Sequence, residues 1–542
     1  MVLVITLLSA CTAPIGVKRV DSKTVQRELS SYVLTTGKLS AITKNLLRYA
    51  NLSEDYAKRP GEVIDFVHNA IVTRAVGGEP ASRRAMIALA ELSFDHATKS
   101  KDRRYFLVAA IYSWFFLFPE NHAFDPNPFD PLTRRAAELY NRSLTLALIG
   151  DGDTVHLKAQ TVELPFATIT IELDRSSLEW GDRRLVEFIP VSELEVRGLR
   201  NRYRARGIGA PLAAKLEPIN PDHIRDSYLP ARLRLPVTAV LHFEGGGRAF
   251  ANGALRGRLR VYAAADQESI EIGGRTVPLE IEPTSTLASM LAEEHPLWRD
   301  FKAFFAGDRA RIREGLASLE PYRPGRIPVV LVHGTFSSSS TWAEILNDLM
   351  ADKEIREHFQ FWTFDYNTGN PIAYSAWLLR TEIKQLLDSL DPGRSDPALR
   401  RMIVVGHSQG GLLTKMTVVD SGLRYWRLLS DKDPDEMKLS EESRAILEGA
   451  LIVEPVPEVE RVVFIATPHR GSYLANFDIA KWISRFAQAP LNIATATYEF
   501  ATTDQDAASR RQIARVSGSL DNMSPGSKFL QALNTTRSST GL

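Results

Sequence analysis

The chain has 542 residues, 44% hydrophobic and 24% charged, an ordinary globular composition on a chain too long for one core, so two or three domains are expected. A formal net charge of +1 gives no reason to expect nucleic acid or an acidic partner. The single cysteine, Cys11, excludes an intrachain disulfide and leaves no cysteine cluster to hold a metal.

Met1 to Leu8 is almost wholly apolar, and Leu8-Ser9-Ala10-Cys11 resembles the bacterial lipoprotein cleavage box, with a small residue before a Cys that becomes the lipidated N-terminus. The resemblance implies a signal segment over 1–11 and an acylated Cys11 that tethers the protein to a membrane of the bacterial cell envelope without a spanning helix. Thr12 in the next position favours the periplasmic face of the outer membrane in such lipoproteins. The pattern departs from the box in having no Lys or Arg ahead of a short apolar stretch; a start further upstream would account for both. The competing reading is a frayed apolar terminus with an incidental Cys.

Residues 22–150 read as a helical module, with Leu29 and Val33, then Leu46 and Leu47, at helical spacing and interruptions at Gly37 and Pro60. Tyr105 to Phe118 is the most apolar stretch after the N-terminus. It is too short to span a bilayer, carries Ser113 and runs into Pro119, so a buried core helix is expected; the alternative is a surface helix dipping into lipid. Residues 153–285 read as a β-rich module. Thr161 to Leu173 and Leu233 to Phe243 carry the strand signal, Gly245-Gly246-Gly247 and Gly273-Gly274 mark hairpins, and polar, basic Arg197 to Asp226 reads as loop. Residues 286–320 read as a helical connector.

Chemistry concentrates in 321–542. Ile327 to Val332 is a buried-strand run that ends in His333-Gly334-Thr335-Phe336. Trp342 to Met350 reads as a helix, Phe359 to Tyr366 as a strand and Ile372 to Leu390 as a helix. Met402 to Val405 is a second buried run, followed at once by Gly406-His407-Ser408-Gln409-Gly410 and then by Leu412, Leu413 and Met416 at helical spacing. Strand, tight turn, helix, with Ser at the apex, is the context that gives a G-x-S-x-G match a mechanism. Gly406 and Gly410 leave the space that strand and helix need. A third apolar run, Val462 to Ala466, leads into Thr467-Pro468-His469-Arg470-Gly471-Ser472.

These three motifs, in this order and about seventy and sixty residues apart, resemble the lipases and esterases of the α/β-hydrolase fold. The resemblance covers Pro321 onward, under half of the chain. It implies an α/β fold class: a mostly parallel α/β-hydrolase-type sheet, truncated, preceded by the helical and β-rich modules. It further implies Ser408 as nucleophile, with oxyanion donors in the backbone N–H groups of Thr335 or Phe336 and of Gln409. The reaction implied is cleavage of a lipophilic carboxylic ester through an acyl-enzyme, without metal or organic cofactor. Phe336, Trp342 and Trp377 suggest the lipophilic substrate, although aromatics there are more often core. The segment 422–460 is an insertion that reads either as a lid over the acyl pocket or as a surface excursion.

In this fold the triad acid and His follow the nucleophile. After Ser408 the sequence has one His, His469, and no further run that reads as a buried strand. Three explanations stand side by side. The chain is a shortened or frameshifted product; or His469 serves as base, oriented by Asp504, Asp506 or Asp521; or the protein is a catalytically impaired binding or envelope scaffold. In the resembling lipases the T-P-H-R-G-S loop lies apart from the triad, which favours a pocket-lining His469. His333 and His407 read as braces of their own turns. A sheet ending at Val462 would leave that strand an exposed apolar edge. Substrate identity and oligomeric state are not legible in the sequence.

Overall fold

The computed structural model describes residues 19–76, 83–150, 152, 154–230, 233–245, 253–294, 314–335, 337–471, 491–503, 523–524, 527–536 and 538. Cys11, Phe336, Asp504, Asp506 and Asp521 lie outside the described residues. So do Asp478 to Phe486 and Gln512 to Val516, two stretches that read as helical from the sequence. The chain divides into two compact units, one of Met1–Leu148, Lys158–Glu172 and Leu241–Arg258, the other of Ile149–Leu157, Leu173–Val240 and Leu259–Leu542.

The first unit carries α1 (Ser22–Leu29), α2 (Val33–Thr36), α3 (Ala41–Tyr49), α4 (Ser53–Lys58), α5 (Pro60–Val76), α6 (Arg83–Ser100), α7 (Arg103–Leu117) and α8 (Pro131–Leu148). The punctuation read from sequence acts where it stands. Gly37 ends α2 in the left-handed conformation, at φ 66°, and Pro60 occupies the first position of α5. Asp21, Ser40 and Asp102 cap α1, α3 and α7 with their side chains. Every residue from Tyr105 to Leu117 is buried, so α7 has no side free for lipid; the alternative of a helix dipping into a membrane fails. Ser113 fits this interior by donating to the Ala109 carbonyl at 2.8 Å. Among the described residues no helix is long and apolar enough to cross a membrane.

Strands β1 (Gln160–Glu163), β2 (Thr168–Leu173), β3 (Glu179–Trp180), β4 (Arg183–Pro190), β5 (Ala210–Pro218), β6 (Arg234–Glu244) and β7 (Ala254–Ala263) form a sheet in the order β1-β2-β7-β6-β5-β4-β3. The expected hairpin forms between β8 (Ser269–Ile272) and β9 (Arg275–Pro278), and both turn residues, Gly273 and Gly274, have positive φ. One expectation is overturned. The stretch Arg197 to Asp226 is not loop throughout: Ala210–Pro218 is the interior strand β5, antiparallel to β4 and β6, and α9 (His223–Asp226) follows it. Its small residues carry little apolar signal, and the arginines before it mask what there is.

The connector needs a second correction. It begins as α10 (Pro283–Glu294) but ends as a strand, β10 (Gly315–Ser318). Four residues, G-L-A-S, show no period; the strand exists because it pairs antiparallel along the strand Phe359–Asp365 and because Ser318 N–H donates to the Tyr228 carbonyl at 2.8 Å.

Strands β11 (Ile327–Val332), β12 (Phe359–Asp365), β13 (Met402–His407) and β14 (Val459–Ile465) complete a five-stranded sheet in the order β10-β12-β11-β13-β14, parallel apart from β10. One face is covered by α11 (Ala343–Ala351), with Trp342 and Leu346 on Val329, Leu331 and Phe361; α12 (Lys353–His358) follows it. On the other face α13 (Ile372–Leu390) and α14 (Gln409–Lys415) supply Ile372, Ala376, Leu379, Leu412 and Leu413. Residues 422–460 do not sit over the sheet as a separate cover: Tyr425, Trp426, Met437, Val453 and Val456 are buried in this same core, and α15 (Glu441–Leu451) packs on α13. Helices α16 (Leu491–Thr503) and α17 (Lys528–Thr535) add Phe500, Leu530 and Leu533. Among the described residues β14 is an edge strand, with Val463 45% and Ile465 36% exposed.

Candidate active site

The two glycine motifs lie about seventy residues apart in the chain and meet because β11 and β13 are neighbours, with Val332 opposite Gly406. Their carboxyl ends, His333-Gly334-Thr335 and His407-Ser408-Gln409, therefore emerge side by side, where open α/β sheets build their sites. Ser408 stands at the junction of β13 and α14 with φ 53° and ψ −121°, a conformation that L residues avoid. Its N–H donates to the Ile465 carbonyl on β14 at 2.9 Å, and its carbonyl accepts from Gly411 at 3.1 Å, so the strained turn is fixed on both sides.

The motif glycines are explained by distance. A Cβ at Gly410 would come within 2.4 Å of both the Val332 and His333 carbonyl oxygens, and one at Gly406 within 2.5 Å of the Gly410 oxygen. Helix, strand and loop backbones touch here, with no room for a methyl. Gly334 lies over the turn, since a Cβ there would be 2.9 Å from that of Ser408.

Gln409 is wholly buried and is the first residue of α14, where an N–H has no partner inside the helix. Among the described residues neither this N–H nor that of Thr335 has an acceptor. Two unspent donors thus flank a half-buried Ser408 whose hydroxyl is likewise unpaired among the described residues. Such donors stabilise negative charge that develops on a neighbouring oxygen. Phe336, the other donor considered from sequence, lies outside the described residues.

His333 is a brace, and its hydrogen bonds fix its tautomer. Its Nδ1 lies 3.0 Å from the Gly334 carbonyl, which can only accept; its Nε2 lies 3.4 Å from the Tyr366 N–H, which can only donate. The ring is thus a neutral Nδ1–H imidazole with both nitrogens spent, stacked on Tyr366 at 4.5 Å. Burial holds its pKa below the ordinary value, against the opposing pull of Asp365, whose carboxylate is 3.6 Å from Nε2. Tyr366 OH donates to the His333 carbonyl at 2.9 Å, and Asp365 accepts from Ser339 N–H at 2.9 Å. Asp365 and Tyr366 were not singled out from sequence, although polar residues at the carboxyl end of an apolar strand are the signal to look for. His407 sets its ring edge to face with Trp342 at 6.5 Å. Trp342 is itself core, packed on Val329 and Leu331. Trp377 is partly buried against Tyr374.

His469 lies in the loop after β14. Its ring packs edge to face on Phe464 at 4.7 Å, and its charged neighbour is Lys415 on the last turn of α14. Burial, then Lys415, hold its pKa below the usual histidine value. Among the described residues it makes no hydrogen bond with Ser408 and faces no carboxylate. Behind the turn, the Thr467 hydroxyl lies where a side chain at Gly411 would stand. Among the described residues no group of three or more His, Cys, Asp or Glu is arranged to hold a metal ion.

Residues 329–536 match the sequence model of the Alpha/beta hydrolase family. Among solved structures, the chain is similar to the mature form of Bacillus licheniformis lipase BlEst2, at 20% identity over 36% of this chain and 68% of that one, with a TM-score of 0.20. It is also similar to esterase B from Lactobacillus rhamnosis in a structure with a C4-C4 SN3 tributyrin phosphonate, at 14% identity over 40% of this chain and 71% of that one, TM-score 0.20. No curated protein matches it.

Proposed function

On the premise that residues 329–536 are an alpha/beta hydrolase domain, we propose that this chain is a serine esterase acting through Ser408. The observation that carries the reading is a half-buried serine in a strained strand-to-helix turn, flanked by the unspent N–H groups of Gln409 and Thr335. Ser408 Oγ attacks the ester carbonyl carbon as its proton passes to a general base. The carbonyl oxygen becomes an oxyanion held by the two N–H groups. Collapse expels the alcohol, which takes the proton, and water then releases the acid from the acyl-serine. The substrate class is a lipophilic carboxylic ester.

A second reading is favoured by one observation: His333 has no free nitrogen, and His469 is set against Phe464 and Lys415. In it, the domain binds without turnover, as a catalytically impaired envelope scaffold. A fluorophosphonate probe separates the two. Labelling that disappears in Ser408→Ala supports the esterase; folded wild-type protein that stays unlabelled supports the scaffold. A series of p-nitrophenyl esters of increasing chain length then reads the acyl preference.

The same reading places the protein at the bacterial envelope, tethered through acyl chains on Cys11. Support for this is the sequence Leu8-Ser9-Ala10-Cys11. Incorporation of radiolabelled palmitate that is lost in Cys11→Ala supports it; a protein left in the soluble fraction without label overturns it.

A further inference from the structure

The donors of the site sit on two different segments, so something must fix one against the other. The side chain of Gln409 bridges them. Its Oε1 lies 2.7 Å from Thr335 Oγ1, and its Nε2 lies 3.3 Å from the Thr368 carbonyl, in the loop after β12. Chemistry sets the orientation of the carboxamide. A backbone carbonyl can only accept, so the NH2 group faces Thr368; the amide oxygen then faces Thr335, whose hydroxyl must be the donor. One wholly buried side chain therefore ties together the carboxyl ends of β11, β12 and β13.

We propose that the side chains of Gln409 and Thr335 form a clasp that positions the two oxyanion N–H groups before substrate arrives, with Thr335 acting through Gln409 and not as a side-chain donor to the oxyanion. This deepens the esterase reading and rests on it for its catalytic consequence. Its mechanical content, that one hydrogen bond holds the β11 loop against α14, stands apart from that reading. Without the clasp, what ties the β11 loop to α14 among the described residues is backbone contact at Gly410 and Gly334, and preorganisation is what such donors depend on.

The test uses the full chain with Thr335→Val, Thr335→Ser, Gln409→Met and the double variant Thr335→Val/Gln409→Met. Two readouts are taken: the fluorophosphonate labelling rate, and amide hydrogen exchange across 333–341. Each of Thr335→Val and Gln409→Met is expected to slow labelling by roughly 10- to 100-fold, as a kcat-like effect with little change in probe affinity. The double variant should be no slower than the worse single, because either single already removes the bond between Thr335 and Gln409. Thr335→Ser, which keeps the hydroxyl, should label near the wild-type rate, a rescue that mere packing would not give. Exchange across the loop should quicken by roughly tenfold in Thr335→Val and not in Thr335→Ser. The clasp is overturned if Thr335→Val labels at the wild-type rate, if the two effects multiply, or if exchange is unchanged. A wild type that folds but does not label sinks the esterase reading instead, and the exchange comparison still decides the clasp.

Discussion

Replacing Gly410 by Ala adds one methyl group, and the structure says where it goes. The new Cβ would lie 2.4 Å from the Val332 and His333 oxygens and 2.8 Å from the Val332 carbonyl carbon. All three are backbone atoms, so no rotamer change can clear them. Real Cβ contacts stop near 3.0 Å, so α14 and the end of β11 must part by about 0.6 Å. Overpacking of this kind costs about 1–3 kcal/mol. The atoms that move carry the Thr335 and Gln409 donors, and a misplacement near 1 Å at a reacting centre costs about 10²-fold. We therefore expect Gly410→Ala to melt several degrees below wild type and to label with fluorophosphonate roughly 10- to 100-fold more slowly. The control is Gly393→Ala, whose Cβ would meet nothing nearer than 4.0 Å and which should change neither quantity. A Gly410→Ala protein that melts and labels like wild type would refute the claim that this glycine secures a backbone contact.

Three further outcomes can be checked. Ser408→Gly should be more stable than Ser408→Ala by about 1 kcal/mol in urea titrations, because φ 53° with ψ −121° strains any residue with a Cβ; equal midpoints would mean the turn stores no strain. Arg380 is buried on α13, and its guanidinium reaches the Met416 carbonyl at the end of α14 and the Gly449 carbonyl in α15. Arg380→Met leaves both carbonyls buried and should cost about 3 kcal/mol; a loss under about 0.5 kcal/mol would show that neither bond matters. His68, stacked on Phe166 at 3.9 Å, has its pKa pushed down to about 4 by burial. The native state thus refuses a proton that the unfolded chain accepts. Stability from this group is complete above the unfolded value near 6.5 and is lost as pH falls from there to about 4, by roughly 2 kcal/mol. The pH dependence of thermal unfolding over that window should flatten in His68→Gln and keep its slope if another group is responsible.

What the sequence shows and what it hides divide on a physical line. The buried runs at Ile327 and Met402, the glycines at 406 and 410 and the helix from Ile372 to Leu390 are local signals, and each element forms where its pattern says. Gln409, Thr335 and Ser408 could be grouped because their motifs imply shared chemistry. The braces could not be. Asp365, Tyr366 and Arg380 act across the sheet or between helices, and nothing in their immediate neighbours announces a partner tens of residues away. Strands β5 and β10 were lost for a related reason. Each is held by pairing with neighbours far along the chain, while its own residues are small or too few to carry a period.

The placement of Tyr228 bears on how this protein can be cut. Its ring is buried in one core cluster with Val330, Trp362 and Phe364, and its carbonyl accepts from Ser318 N–H on β10. Nearby, Arg225 reaches the Ser389 and Leu390 carbonyls at the end of α13, and Thr284 bonds Asn347 on α11. Expressing residues 321–542 alone would therefore open a hole in the interior and bare the flank of β12. A truncation that keeps these contacts has to begin ahead of α9, so that Arg225, Tyr228 and β10 stay with the five-stranded sheet.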